Sequence, residues 1–122
     1  MRLMDLLNEE KAKIYYHVTP YENLKSIKSK GLIPQLGQRS SAMNIEHVGV
    51  FCFKSIEDVE DALMNWLGDE FDDDTQLAIL KIIGKGLEAP VEENNMYEVR
   101  FASKIPPENI KVLSKDADSY FS

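Results

Sequence analysis

A strand followed at once by a helix start, over residues 13–31, is the feature that most constrains the fold of this chain. Residues 13–18 (KIYYHV) are rich in aromatic and β-branched side chains, which favour an extended strand. Thr19 is followed by Pro20 and, three residues on, by Glu22, the pattern of a capping box at a helix N-terminus. Gly31 suits the left-handed residue that ends a helix. The sequence therefore predicts a strand over residues 13–18 and a helix over about residues 20–30.

The rest of the chain is predicted to contain one more helix and several strands. Ser55 is typical of a helix N-cap, and Gly68 is expected to end that helix. Its expected buried stripe is Val59, Ala62, Leu63, Trp66 and Leu67. Strands are predicted at 48–53, 76–83, 97–101 and 110–113, a long polar loop at 34–47, and a short helix or lead-in arm at Leu3–Leu7. Because helices come early and strands dominate later, the predicted class is α+β with a mostly antiparallel sheet.

Length and charge exclude several kinds of partner. The chain has 122 residues, with 14 Lys and Arg against 21 Asp and Glu, and a formal net charge of −7. We expect a single domain over residues 1–122. The acidic balance argues against bulk nucleic acid or an anionic membrane as partner. A lone cysteine, Cys52, excludes an internal disulfide, and no apolar run approaches the roughly 20 residues that span a bilayer, so we expect a cytoplasmic protein.

Two polar residues in the first half of the chain are candidates for a binding site. Alternation along the first strand puts His17 on the face opposite Tyr16 and Val18, where it either hydrogen-bonds a ligand or bonds to the local backbone. Arg39 lies among small polar residues of the long loop (GQRSS). Its guanidinium fork suits a phosphate, and the alternative is an ordinary solvated arginine.

Two acidic features also leave alternatives. Glu98 stands in an otherwise apolar strand, so it either lies in a cleft or faces water in an ion pair with Arg100 on the same face. The acidic run 69–74 offers carboxylates to a calcium ion but lacks the EF-hand pattern, so a solvated loop is preferred and no metal site is predicted. His47 and Cys52 are interpreted as structural residues.

In this order along the chain, these residues resemble the ADP-ribosyltransferase superfamily. That superfamily includes the diphtheria-toxin and poly-ADP-ribose polymerase branch, toxins that target DNA, and the tRNA 2′-phosphotransferases. The resemblance begins with residues 15–19 (YYHVT), 23–27 (NLKSI) and 31–34 (GLIP), which are similar to the opening "YHxT…NLxxIxxxGLxP" of several such families. It continues in 37–40 (GQRS), 49–53 (GVFCF), 97–99 (YEV) and 105–110 (IPPENI), and it covers about residues 14–113.

The resemblance implies a split β-core with two or three helices and a central cleft for NAD. Glu98 would bind a ribose hydroxyl and stabilise the positive charge that develops as nicotinamide leaves, and His17 would hydrogen-bond the nicotinamide ribose. Arg39 would contact a phosphate, and Phe51 or Phe53 would stack on nicotinamide. The residues thereby implied in cofactor binding are His17, Thr19, Arg39, Phe51, Phe53 and Tyr16.

The implied function is transfer of ADP-ribose from NAD to a protein or small-molecule acceptor, with release of nicotinamide. The alternative is an inactive module of the same fold that binds a nucleotide, ADP-ribose or a protein partner, such as a small phage or mobile-element product. Phenylalanine in the second strand, where the His-Tyr-Glu branch has tyrosine, keeps that alternative open. No Glu-x-Glu pair precedes the last strands, which disfavours the arginine-specific toxin branch. An acidic mimic of nucleic acid rests on charge alone and ranks last.

Overall fold

The computed structural model describes residues 13–36, 48–92 and 98–122, and within them the fold is α+β with an antiparallel sheet. The helices are α1 (Leu24–Lys30), α2 (Ile56–Asn65) and α3 (Ala117–Phe121). The strands are β1 (Ile14–Pro20), β2 (Gln35–Leu36), β3 (Val48–Phe53), β4 (Leu77–Ile83), β5 (Val91–Glu92), β6 (Glu98–Phe101) and β7 (Ile110–Ser114). The predicted segment Leu3–Leu7 and the loop residue Arg39 lie outside the described residues.

The strand order places β1 and β4 at the centre of the sheet. The order is β5-β6-β3-β1-β4-β7, with β2 paired to β3, and each described pair is antiparallel. β1 and β4 pair over their whole length, from Ile14 with Ile83 to Pro20 with Leu77. β4 (LAILKII) is a nearly continuous apolar run, as expected for a strand covered on both faces. The predicted α+β class with an antiparallel sheet is therefore confirmed.

Two apolar cores lie on opposite faces of this sheet. The α1-side core packs helix α1 against one face, and the α2-side core packs α2 and α3 against the other. Strand alternation divides the residues between them. The α1-side core comprises Tyr15, Leu24, Ile27, Leu32, Val50, Cys52, Ala78, Leu80, Ile82, Val99, Phe101 and Ile105. The α2-side core comprises Val18, Phe53, Val59, Ala62, Leu67, Ile79 and Ala117.

The first predicted helix starts later than the sequence indicated, and the predicted capping box is wrong. β1 continues through Thr19 and Pro20, which pair with Ala78 and Leu77 of β4. A 3₁₀ turn (Tyr21–Asn23) follows, with no side-chain cap on either this turn or α1. Pairing with β4 holds Thr19 in an extended backbone, so tertiary structure overrides the local capping signal.

The end of α1 confirms the role predicted for Gly31. Gly31 has φ of 80° and donates its N–H to the Ile27 oxygen at 2.8 Å. The next residue, Leu32, exchanges two backbone hydrogen bonds of 2.9 Å with Ile105. A side chain at Gly31 would collide with the Ile105 carbonyl, so glycine satisfies both the positive φ and this close approach.

The second helix starts as predicted and ends earlier. The Ser55 hydroxyl accepts a hydrogen bond of 3.1 Å from the Asp58 N–H, which confirms the N-cap. The helix ends at Asn65, and Gly68 lies in a following 3₁₀ turn (Leu67–Glu70) instead of ending the helix. None of the described helices is long and apolar enough to cross a membrane.

Candidate functional site

β1 and β3 are neighbours in the sheet but pair at one position, Tyr16 with Phe53. On one side of this pair β3 ends, which stops the ladder. On the other side both strands continue, β1 through residues 17–20 and β3 through residues 48–52. In the described register these two segments do not pair with each other. We call the interval between residues 17–20 and 50–52 the β1–β3 gap.

The backbone groups that face this gap follow from the pairing of β1 with β4. The Tyr21 N–H donates to the Gln76 oxygen and the Gly84 N–H to the Lys13 oxygen, both at 2.8 Å. Backbone groups alternate sides along an antiparallel strand, so those of odd-numbered β1 residues face β4 and those of even-numbered residues face β3. The N–H and C=O of Val18 therefore face the gap.

Pro20 is an even-numbered residue of β1, which explains how a proline fits in a central strand. A proline has no N–H to donate. At this position the missing donor would face the gap rather than β4, so the β1–β4 ladder loses nothing. The proline is thus compatible with a sheet that is interrupted on this side.

His17 lies at the gap and bonds to the strand on its far side. Its Nδ1 is 2.7 Å from the main-chain oxygen of Phe51. A carbonyl only accepts, so Nδ1 carries the hydrogen and donates it. In a continued ladder the Phe51 oxygen would accept from the Val18 N–H instead. The histidine side chain thus replaces a backbone hydrogen bond at the start of the gap.

The second ring nitrogen of His17 remains available to a ligand. Within the described residues the ring makes the one hydrogen bond to Phe51. Burial lowers the pKa of His17 from its usual value of 6.5, and the bond to the Phe51 oxygen offsets only part of that effect. The ring is therefore neutral near pH 7, and Nε2 presents a lone pair that can accept a hydrogen bond.

Three of the predicted site residues form one row across the sheet. Tyr16 pairs with Phe53, and Phe53 pairs with Glu98 of β6, so their side chains share the α2-side face. Neighbouring strands lie about 4.8 Å apart, which puts Glu98 one strand from β3 and two from β1. Glu98 is 3% exposed, so it does not face water.

The two phenylalanines of β3 differ in their surroundings. Phe53 is 2% exposed, and its ring centroid lies 6.0 Å from that of Trp66 at an interplanar angle of 41°. Phe51 shares the same face but is partly exposed, and its own carbonyl holds His17. Of the two side chains, only that of Phe51 has appreciable exposed surface.

The remaining predicted residues do not join this row. Thr19 pairs with Ala78 of the α1-side core, and its hydroxyl accepts from the Asn23 side-chain amide at 3.4 Å. His17 belongs to the same strand face as Thr19, opposite to the face of the row, and its bond is to the Phe51 carbonyl. Arg39 lies outside the described residues, and the two described residues nearest to it in sequence, Leu36 and Val48, pair with each other.

Cys52 and the acidic run 69–74 were the remaining residues considered for chemistry. Cys52 is fully buried, and burial, reinforced by the negative charge of Glu98, raises the pKa of its thiol. Among the residues that the structure describes, no group of three or more His, Cys, Asp or Glu side chains is arranged to hold a metal ion.

Two features of the site are not titratable side chains, so a search of the sequence for such side chains does not find them. The Val18 peptide contributes main-chain atoms only, so no residue type marks it. Trp66, predicted as a core residue of α2, also packs on Phe53 and so fixes one end of the row. The single sequence signal for the gap was Pro20, because a proline inside a strand indicates an unpaired edge.

Comparison of this chain with protein-family models, with curated proteins and with solved structures finds no match to any of them.

Proposed function

We propose that this chain is a small ADP-ribosyltransferase-like protein that binds NAD in the β1–β3 gap and releases nicotinamide from it. The single observation that carries the proposal is the interruption of the sheet beside His17. There the His17 ring bonds to the Phe51 carbonyl, the Val18 peptide faces β3 outside the paired register, and the partly exposed Phe51 side chain lies on the neighbouring strand. An interrupted ladder between central strands also supports the split β-core that the sequence resemblance implies.

The Val18 peptide supports recognition of the nicotinamide group. Its N–H and C=O point the same way into the gap, one donor and one acceptor side by side. A primary carboxamide carries the complementary pair, an acceptor oxygen and a donor NH₂. Phe51 beside this peptide offers a ring for stacking on the pyridine, worth about 0.5–1.5 kcal/mol beyond the area it buries.

The two candidate catalytic residues have separate tasks in this proposal. His17, neutral and bonded through Nδ1, accepts a hydrogen bond from a ribose hydroxyl at Nε2. Glu98 supplies negative charge where the ribose becomes positive as the glycosidic bond to nicotinamide breaks. Burial strengthens that electrostatic effect because water does not screen it. Water or an acceptor nucleophile then attacks the ribose carbon and loses its proton.

Burial of Glu98 also favours a second candidate function. A carboxylate that is 3% exposed needs a shift of neighbouring side chains before it contacts a ribose. The same gap can therefore serve as a binding site for NAD or ADP-ribose without turnover. In that case the partner is the nucleotide itself, and the protein or small-molecule acceptor is not required.

The two functions are separated by measuring binding and turnover on the same protein. Calorimetry with NAD and ADP-ribose reports binding, and chromatography reports nicotinamide released with water as the acceptor. For the enzyme we expect NAD binding, measurable release, and a loss of about 10²–10³-fold in release for Glu98→Gln. Exposed Glu57→Gln on α2 is the matched control and should leave release unchanged.

The binding and release measurements distinguish the enzyme from the binding module. Binding of NAD without release supports the binding module, and release that Glu98→Gln leaves unchanged removes the catalytic role of that residue. If neither nucleotide binds the wild-type protein, both candidate functions are wrong.

A further inference from the structure

The side chain of Arg100 lies across β3 at a position that only glycine permits. A Cβ built on Gly49 would collide with Cγ of Arg100, and would lie 2.9 Å from its Cδ and 2.8 Å from the Phe101 oxygen. Contacts under 3.0 Å between such atoms require displacement of one of them. The aliphatic part of Arg100 therefore occupies the space that any other residue at position 49 would fill.

This path takes the aliphatic part of the arginine toward the end of β3 that lies away from the Tyr16–Phe53 pair. Arg100 pairs with Phe51 on one side and with Val91 on the other, and its side chain leans to Gly49, the diagonal neighbour on β3. Gly49 in turn pairs with Gln35 of β2, at the end of β3 away from the Tyr16–Phe53 pair. A cationic side chain thus lies on the face of Phe51 and Glu98, and it is partly exposed.

We propose that Arg100 binds the pyrophosphate of a dinucleotide seated in the gap. This inference rests on the proposed function. It adds Arg100 as a phosphate-binding residue, whereas the sequence resemblance implied Arg39. A guanidinium donates two parallel hydrogen bonds to phosphate oxygens, which an ammonium cannot do. With nicotinamide at Val18 and Phe51, the phosphates extend along the strands toward Gly49, where the arginine lies.

Gly49 is the positioning residue in this proposal. Substitution by alanine places a methyl group against Arg100 Cγ and forces the side chain to another path. Gly49→Ala should therefore weaken binding of the same ligands as Arg100→Gln, although residue 49 carries no charge. The Phe101 oxygen crowds the same methyl group, so thermal unfolding of each variant accompanies the binding measurement.

The test compares ligands with and without phosphates by calorimetry. The probes are ADP-ribose, ADP and nicotinamide riboside, and the variants are Arg100→Gln, Arg100→Lys and the matched control Lys111→Gln on the exposed edge strand β7. We expect Arg100→Gln to weaken the affinity for ADP-ribose and for ADP about tenfold or more, since it removes hydrogen bonds to charged phosphate oxygens. Nicotinamide riboside affinity and the Lys111→Gln values should stay within about twofold of wild type, a pattern that a purely structural role for Arg100 does not produce.

The outcomes separate this inference from the function it rests on. If wild type binds ADP-ribose and Arg100→Gln binds it equally well, the arginine role is wrong and the proposed function stands. If wild type binds no dinucleotide, both are wrong. Should Arg100→Gln fail to fold, Arg100→Lys decides, because it keeps the stem and charge but loses the fork: an affinity for ADP-ribose equal to wild type overturns the proposal.

Discussion

His17 donates a hydrogen bond from Nδ1 to the main-chain oxygen of Phe51 at 2.7 Å, across the point where β1 and β3 cease to pair. The sheet has two halves, β5-β6-β3 and β1-β4-β7, which are adjacent through these two strands. The bond joins the halves one residue beyond the Tyr16–Phe53 pair. It also fixes the histidine tautomer, so one side chain serves the fold through Nδ1 and remains open to a ligand through Nε2.

We predict that the stability of the protein depends on the charge state of His17. Its pKa is lowered from 6.5 in the folded protein, so the unfolded chain binds more protons in the interval between the two values. The contribution of His17 to the free energy of unfolding is therefore fully present above about pH 6.5 and is lost as the pH drops through that interval, by up to about 1.4 kcal/mol per pH unit. Urea unfolding at a series of pH values measures this.

His17→Asn is the matched variant for that experiment. An asparagine amide can donate to the Phe51 oxygen from near the position of Nδ1 but does not titrate in this range. The variant should lack the decline in stability that begins near pH 6.5, while His47 contributes equally to both proteins. Identical pH profiles for the two proteins would show that His17 does not titrate on unfolding.

Removal of the Phe51 ring should weaken the binding of ligands that carry nicotinamide and leave the affinity for other ligands nearly unchanged. Phe51→Ala removes the partly exposed ring beside the gap. We expect NAD affinity to fall about tenfold, from lost stacking and lost buried area, while ADP-ribose affinity changes less than about twofold. Phe51→Tyr keeps the ring and should retain NAD affinity. Calorimetry on both ligands provides the check, and an equal loss for both would place the ring elsewhere than at nicotinamide.

Gly31 and Gly86 allow a controlled test of the contact between α1 and Ile105. Both have φ of 80°, so alanine at either position adopts an unfavourable backbone conformation that costs about 1–2 kcal/mol. A Cβ at Gly86 meets no atom within 4 Å, whereas one at Gly31 meets the Ile105 carbonyl. Gly31→Ala should therefore lose at least about 1 kcal/mol more than Gly86→Ala in chemical denaturation. Equal losses would mean that the close approach to Ile105 adds no cost.

Cys52 should be inert to thiol reagents in the folded protein. The side chain is fully buried, and burial together with the charge of Glu98 raises the pKa of its thiol, so little thiolate forms. A disulfide reagent should label the protein in urea but leave it unlabelled in native buffer between pH 7 and 9. Because Cys52 is the single cysteine, any label on the protein reports this residue. Rapid labelling of the native protein would contradict this burial.

Signals within a few residues were sufficient for much of the fold. Aromatic and branched residues predicted β1 and β3, Ser55 predicted the start of α2, and Gly31 predicted the end of α1. The predictions at Ser55 and Gly31 are correct because a helix cap acts on backbone groups within one helical turn of it. The capping box predicted at Thr19 is wrong because the conformation of Thr19 is set by its pairing with Ala78, a residue of β4 that is distant in sequence.

The candidate site depends on pairings that no local pattern contains. Alternation correctly separated His17 from Tyr16, but it does not tell which strand lies beside each residue. The row of Tyr16, Phe53 and Glu98 needed the order of three strands that are distant in sequence. The burial of Glu98 likewise depends on what covers the sheet, so local sequence could not show that this carboxylate is shielded from water.

The single Tyr16–Phe53 pair also has a mechanical consequence. Within the described residues β1 and β3 pair at one position, next to the His17–Phe51 bond, and strands joined in this way can pivot more easily than strands held by a full ladder. A ligand that hydrogen-bonds to the Val18 peptide and contacts β3 adds a second attachment and restrains the pivot. If the proposed ligand binds there, we expect it to stiffen the connection between the two halves, and slower amide exchange at Val18 measures that effect.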